Sequence, residues 1–175
     1  EIPSTILDLH PTVRLSMDYV YIQVIPMLHT ISSGYKFRTI EAVRVKKPDR
    51  RITVEGASRV VNTYEARGIK VAQINADNEF ECIREDMRPI PMNIVAAGEH
   101  VGDVERSNMT IKERTRCHVH RLPFTRYPKE MVIGCITHSV KCLNQLPADD
   151  GISEDQSPAT LVTGAPSPDY QYISK

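Results

Sequence analysis

No apolar run in this chain of 175 residues approaches the length of about 20 needed to cross a bilayer. The start also lacks the charged-then-apolar pattern of an export signal, so no membrane partner is expected. The four cysteines, Cys82, Cys117, Cys135 and Cys142, form no CxxC pair, and no HxxxH stands with one. That excludes a His/Cys zinc module and suits a reducing intracellular compartment. Cys135 and Cys142, two turns apart on one expected helix, read as small core residues. His118-x-His120 has no partner ligands at metal spacing and reads as helix surface. Internal repeats are absent. Net charge is also absent, 22 basic residues balancing 22 acidic ones, which argues against a protein that coats nucleic acid all over. Local polarity is left open. The first residue is Glu1 instead of methionine, as expected of a piece of something longer.

What is present is ordinary for a globular domain: 41% hydrophobic and 25% charged residues, with length enough for one closed core. The first third predicts strands over 15–20, 21–27 and 36–40, with Ser32-Ser33-Gly34 as a turn. A polar loop is expected over 46–51. Val54, Ala57, Val61 and Tyr64 share one helical face, and Gly68 stands at the helix stop. A strand over 69–74 follows, then a helix over 80–87 closed by Pro89 and Pro91, and a short strand over 92–95. Two longer helices are predicted, a charged surface one over 104–121 and a greasier one over 129–143. In the latter Met131, Cys135, Ile136, Val140 and Leu143 face a core, and Pro128 sits at the start. The expected division is a core over 1–146 and a loop-rich extension over 147–175. The order of elements is mixed α/β.

Four segments are more specific. INADNEF (74–80) ends a strand in an acid followed by a tight Asn-Glu-Phe turn, and HVGDVERSNMTIKERTR (100–116) puts a Glu-Arg pair on a helix after a glycine loop. LSMDYVYI (15–22) carries an aspartate within a strand, and LNQLPADDGISEDQSPATLVTG closes the chain's second half. Together, over roughly residues 12–166, these segments resemble the catalytic core of retroelement integrases of the copia type. The resemblance implies a ribonuclease-H-like fold, a mixed central sheet flanked by helices. It implies a catalytic and metal-binding triad of Asp18, Asp77 and Glu105, using Mg²⁺ or Mn²⁺. It further implies DNA as partner, both element ends and target, together with self-association and work in the nucleus after a cytoplasmic particle stage.

The chemistry has its own logic. Moving a phosphodiester between oxygen nucleophiles is served by two divalent ions that activate one oxygen and stabilise the other. Hard cations need oxygen ligands, so carboxylates must converge from separate elements. Each residue also has a bland reading. Asp18 could be a solvent-facing strand residue, Asp77 a turn acid, and Glu105 a helix acid favoured by the N-terminal dipole, but the motifs favour the metal role for each. Glu99 and Asp103 lie near enough to be mistaken for Glu105.

Lys112 and Arg116 fall on the face of Glu105, and Lys112 matches the family's DNA-gripping position, while Met109 stands where many members are polar. Arg106 completes the expected DNA contacts. Two stretches, 36–51 and 106–129, each hold seven Lys or Arg. They suit sequence-blind phosphate contact, or are solvated faces. Only 27 residues separate Asp77 from Glu105, fewer than in the best-known integrases, and protease and reverse-transcriptase signatures are missing. The leading expectation is a DNA strand transferase. A non-catalytic DNA-binding or assembly domain, and a nuclease acting on RNA–DNA hybrids, are the alternatives.

Overall fold

In a computed structural model, the chain is described over residues 4–43, 49–95, 102–124 and 126–165. A short helix, α1 (Ser4–Leu9), leads into the strand on which the fold is built, β1 (Thr12–Ile22). It sits in the middle of a five-stranded sheet with β2 (Ile25–Ser32), β3 (Arg38–Ala42), β4 (Lys70–Ala76) and β5 (Met92–Ile94). The order is β3-β2-β1-β4-β5. The first three strands form an antiparallel meander, while β4 runs parallel to β1 and β5 parallel to β4.

Every residue of β2 and most of β1 are buried, because helices cover both faces of the sheet. Leu15, Met17 and Tyr19 point into one core with Ala57, Val61 and Tyr64 of α2 (Arg50–Glu65). Val20, Ile22 and Met27 point into the other, with Ile111 of α3 (Gly102–His120) and Ile136 of α4 (Lys129–Gln145). The α2 face predicted from spacing is thus the face that packs, and Gly68 takes φ +80° just beyond the helix. Leu161 and Val162 of α5 (Pro158–Thr163) join the first core, so a helix occurs where the sequence suggested only loop. Residues 166–175, the Lys46–Pro48 part of the expected polar loop, and Glu99 lie outside the described residues.

Four expectations are corrected. The strand expected over 21–27 is broken by a two-residue turn at Gln23-Val24, with φ of +47° and +60°. Neither residue is a turn former, but Ile22 pairs with Ile25, and the reversal puts Val20, Ile22, Ile25 and Met27 into one core. Arg50 and Arg51 begin α2 instead of ending a loop, because the Asp49 carboxylate accepts the Ile52 N–H at 2.9 Å and caps the helix. Over 80–87 the chain forms a 3-10 helix (Asn78–Ile83) followed by turns. Phe80, Ile83 and Met87 still bury at intervals of three and four, so their spacing alone reads as α-helical.

On α4 the buried face is Val132, Ile136, Ser139, Val140 and Asn144, while Met131 is exposed and Cys135 and Leu143 are half-buried. Hydrophobicity misplaces the face because two of its members are polar and satisfied. Ser139 donates to the Cys135 carbonyl at 2.8 Å. Asn144 accepts from the Arg38 N–H at 2.9 Å and donates to the Arg38 carbonyl at 2.7 Å, capping the start of edge strand β3.

A β-branched residue at φ +60° is strained, and Val24 is 94% exposed, so it contributes no packing in return. Replacing the pair with Asn-Gly (Gln23→Asn, Val24→Gly) should stabilise the chain by about 1–2 kcal/mol, read as a higher midpoint in urea. An unchanged or lower midpoint would show that the turn carries no strain.

Candidate active site

Asp18 lies in the middle of β1, half-buried, on the face covered by α3. The parallel register pairs Met17 with Ala76, which sets Asp77, the first residue after β4, beside Asp18. Asp77 also caps the 3-10 helix, its Oδ1 accepting the Glu79 N–H at 3.0 Å. The turn is pinned from behind. Phe80 is fully buried and its ring stacks on that of Tyr19 with centroids 4.9 Å apart, and the Tyr19 hydroxyl is 2.7 Å from that of Thr53 on α2. Glu105 stands half-buried in the first turn of α3.

Two of these carboxylates act on the third, Asp18. Burial raises the pKa of Asp18 above the ordinary aspartate value, the Asp77 charge raises it further, and Glu105 adds to the effect. Hydrogen bonds from the Tyr19 backbone and the Asn108 side chain pull in the opposite direction without cancelling it. Among the described residues, no cation acts on Asp18. Asp103 is not among them either: it lines a separate polar nook of about 120 Å³ with Lys36, Arg38, Arg106 and Asp150. Glu105 and Asp103, on the same helical turn, thus face different groups.

Among the described residues no three His, Cys, Asp or Glu side chains are gathered tightly enough to hold a metal ion. The triad is in electrostatic reach without being drawn together. The donor set is nonetheless of the right kind: carboxylate oxygens from three elements, with a raised pKa at Asp18 that a hard divalent cation would relieve.

Four residues of the site escaped the sequence reading. Asn108 Nδ2 donates to Asp18 Oδ2 at 2.6 Å, and its Oδ1 is 2.6 Å from His29 Nδ1. His29 Nε2 is 3.3 Å from the Ser107 hydroxyl, which accepts from Arg38 Nε at 3.0 Å. His29 is completely buried, and burial drives its pKa down to about 4. A usable signal existed for Asn108, three residues after Glu105 on one helix face. His29 meets the site only because β1 and β2 pair it with Asp18.

The basic residues divide. Lys112 and Arg116 are exposed and line one cleft of about 440 Å³ with Tyr21, Gln23, His120 and Tyr127. Arg106 points instead into the nook with Asp103. Met109 is 65% exposed one turn from Glu105. In the 36–51 stretch, the described cations have partners within the fold. Lys36 pairs with Asp150 at 2.7 Å, Arg50 with Asp86 at 2.8 Å and Arg51 with Glu55 at 3.6 Å, while Arg38 reaches Ser107. Arg106, Lys112, Arg114 and Arg116 of the 106–129 stretch are exposed. The His118 ring packs edge-on against His138, centroids 5.1 Å apart.

The fold is the ribonuclease-H-like fold of integrase catalytic cores. The chain is similar to the HTLV-2 integrase catalytic core domain in complex with magnesium, in its dimeric form, with 18% identity and a TM-score of 0.61. That match covers 86% of this chain and 98% of the other. The catalytic core of BIV integrase matches at 12% identity and a TM-score of 0.58, over 86% and 93% of the two chains. A simian T-cell lymphotropic virus intasome chain matches at 10% identity and a TM-score of 0.65, over 91% of this chain and 57% of the other. The HTLV-2 core also has a trimeric form. No family model and no curated protein sequence matches. No helix among the described residues is long and apolar enough to cross a membrane.

A carboxyl whose pKa is higher folded than unfolded holds its proton more tightly in the native state, so stability falls as pH rises through that window. Asp18→Asn removes the charge and can still accept from Asn108. It should therefore raise the thermal midpoint at pH 7, with the gain vanishing below the unfolded value of 3.8. A lower midpoint at pH 7 would mean that the Asn108 bond outweighs the repulsion.

Proposed function

We propose that the chain is the catalytic core of an integrase-type polynucleotidyl transferase, belonging to a copia-like retrotransposon. The supporting observation is the coincidence of fold and electrostatics: on the central strand of a ribonuclease-H-like sheet, the pKa of Asp18 is raised by burial and, further, by Asp77 and Glu105. A half-buried carboxyl raised above its ordinary pKa by burial and by neighbouring acids costs stability, and such groups cluster at functional sites.

Asp18, Asp77 and Glu105 are the residues that would hold Mg²⁺ or Mn²⁺. Such ions supply activation of the attacking oxygen and stabilisation of the leaving one in phosphodiester transfer, first to water and then to a DNA 3′-hydroxyl. The chain's own contribution is placement. Asp18 is fixed mid-strand by the sheet and by the Asn108 amide, Asp77 by its cap on the 3-10 helix and the Phe80 anchor, and Glu105 by the α3 backbone. Lys112 and Arg116 follow Glu105 along α3, so a duplex whose scissile phosphate lies at the triad would meet them next along its backbone. Arg106, turned toward Asp103, contributes at most long-range attraction. DNA ends and target DNA are the partners on this reading, with self-association and a nuclear site of action.

The test is the reverse reaction on a branched DNA intermediate with Mn²⁺, comparing the parent with Asp77→Asn. The parent should resolve the branch, and the variant should lose activity by about 100-fold or more. If both are silent while the parent still binds DNA, the domain is a non-catalytic binding or assembly module. Cleavage of an RNA–DNA hybrid in preference to the branched DNA would make it a ribonuclease instead.

A further inference from the structure

Behind Asp18 runs a chain of side chains from four elements: Arg38 on β3, Ser107 and Asn108 on α3, His29 on β2 and Asp18 on β1. The direction of every hydrogen bond in it follows by elimination. The Asp18 carboxylate only accepts, so Asn108 must turn its Nδ2 toward Asp18 and its Oδ1 toward His29. An amide oxygen cannot donate, so at 2.6 Å the proton between Asn108 Oδ1 and the imidazole belongs to His29 Nδ1. The ring is completely buried, and Ser107, whose oxygen already accepts from Arg38, turns its hydroxyl proton to Nε2, which is bare. Ser107 in turn accepts from Arg38 Nε.

We infer that His29 is a positioning residue for the metal centre, held as the Nδ1–H tautomer, and that the chain Arg38→Ser107→His29→Asn108→Asp18 locks one carboxylate oxygen of Asp18 in place. This rests on the reading of Asp18 as a metal ligand. Every donor points the same way, so each bond polarises the next toward the carboxylate. The chain begins at a fixed cation, Arg38, whose guanidinium also donates to the Lys36 carbonyl at 3.1 Å and whose backbone is clasped by Asn144. If His29 carried its proton on Nε2, Asn108 Oδ1 and His29 Nδ1 would face each other as two acceptors. The amide would then be free to turn away from Asp18. His29 touches no group that reacts, and its effect passes entirely through Asn108.

Two measurements decide it. In the parent chain, nitrogen NMR of the imidazole should report a protonated Nδ1 and a bare Nε2 for His29, and the opposite tautomer overturns the proposal. Titration with Mg²⁺ alone should then show binding weakened about 10- to 100-fold in His29→Leu and largely restored in His29→Asn, whose amide N–H takes the place of Nδ1–H. Should His29→Leu fail to fold, the tautomer and the His29→Asn affinity carry the test, and weak binding by His29→Asn counts against it. A parent that takes up no Mg²⁺ overturns the metal-centre reading and the relay's role together. A Mg²⁺-binding parent matched by a folded His29→Leu overturns the relay alone.

Discussion

The parallel pairing of β1 with β4 is the contact on which the candidate site depends. Asp18 and Asp77 lie far apart in sequence, one within β1 and the other just past β4, and the Met17–Ala76 register sets one beside the other. Side chains alternate along a strand, so a one-residue slip would turn Asp18 into the core of Leu15, Met17 and Tyr19 and turn those residues out. Burial on both faces forbids that slip. A slip would desolvate the Asp18 carboxylate in that core and would pull Leu15, Met17 and Tyr19 on one face, and Val20 and Ile22 on the other, out of the packing they make.

Having fixed the register, the fold tolerates an unfavourable arrangement at its end. Asp18 is half-buried near two like charges, and the described groups easing it are N–H donors. Stability and the proposed activity therefore pull against each other at this residue, which is where a charge meant for an absent counter-charge would be found. The surrounding rigidity fits that reading. Phe80 is clamped on Tyr19, Asn108 is held between Asp18 and His29, and Arg38 is clasped by Asn144 of α4, so the two faces of the sheet both contribute to holding the carboxylates.

The parts legible in the sequence were those encoded locally. The acid closing β4, the Phe three residues on, the helix stop at Gly68 and the apolar face of α2 each have a spacing or residue type that carries the meaning within a few positions. The first strand's aspartate was legible only through its motif. What escaped depends on contacts between distant segments. Gln23-Val24 turns without any turn-forming residue because the pairing on either side requires it. The α4 face was misplaced because Ser139 and Asn144 bury polar atoms against partners that no helical pattern reveals. His29 in Ile25–Ser32 looks like an odd polar residue in a greasy strand until β1 is laid beside it, and Arg38 looks like a phosphate contact until it is seen reaching inward to Ser107. Arg106 and Lys112 belong to one charged helix, but their six-residue offset sends them into different clefts.

The claim that Asp18, Asp77 and Glu105 form a metal centre is tested most directly by a crystal structure grown with Mn²⁺, using anomalous scattering to find the ion. The account predicts a peak coordinated by Asp18 and Asp77, with Glu105 turned toward it and Asn108 still bonded to Asp18 Oδ2. A peak at Asp103 and Asp150 instead, or a well-ordered triad with no peak at saturating Mn²⁺, would contradict it.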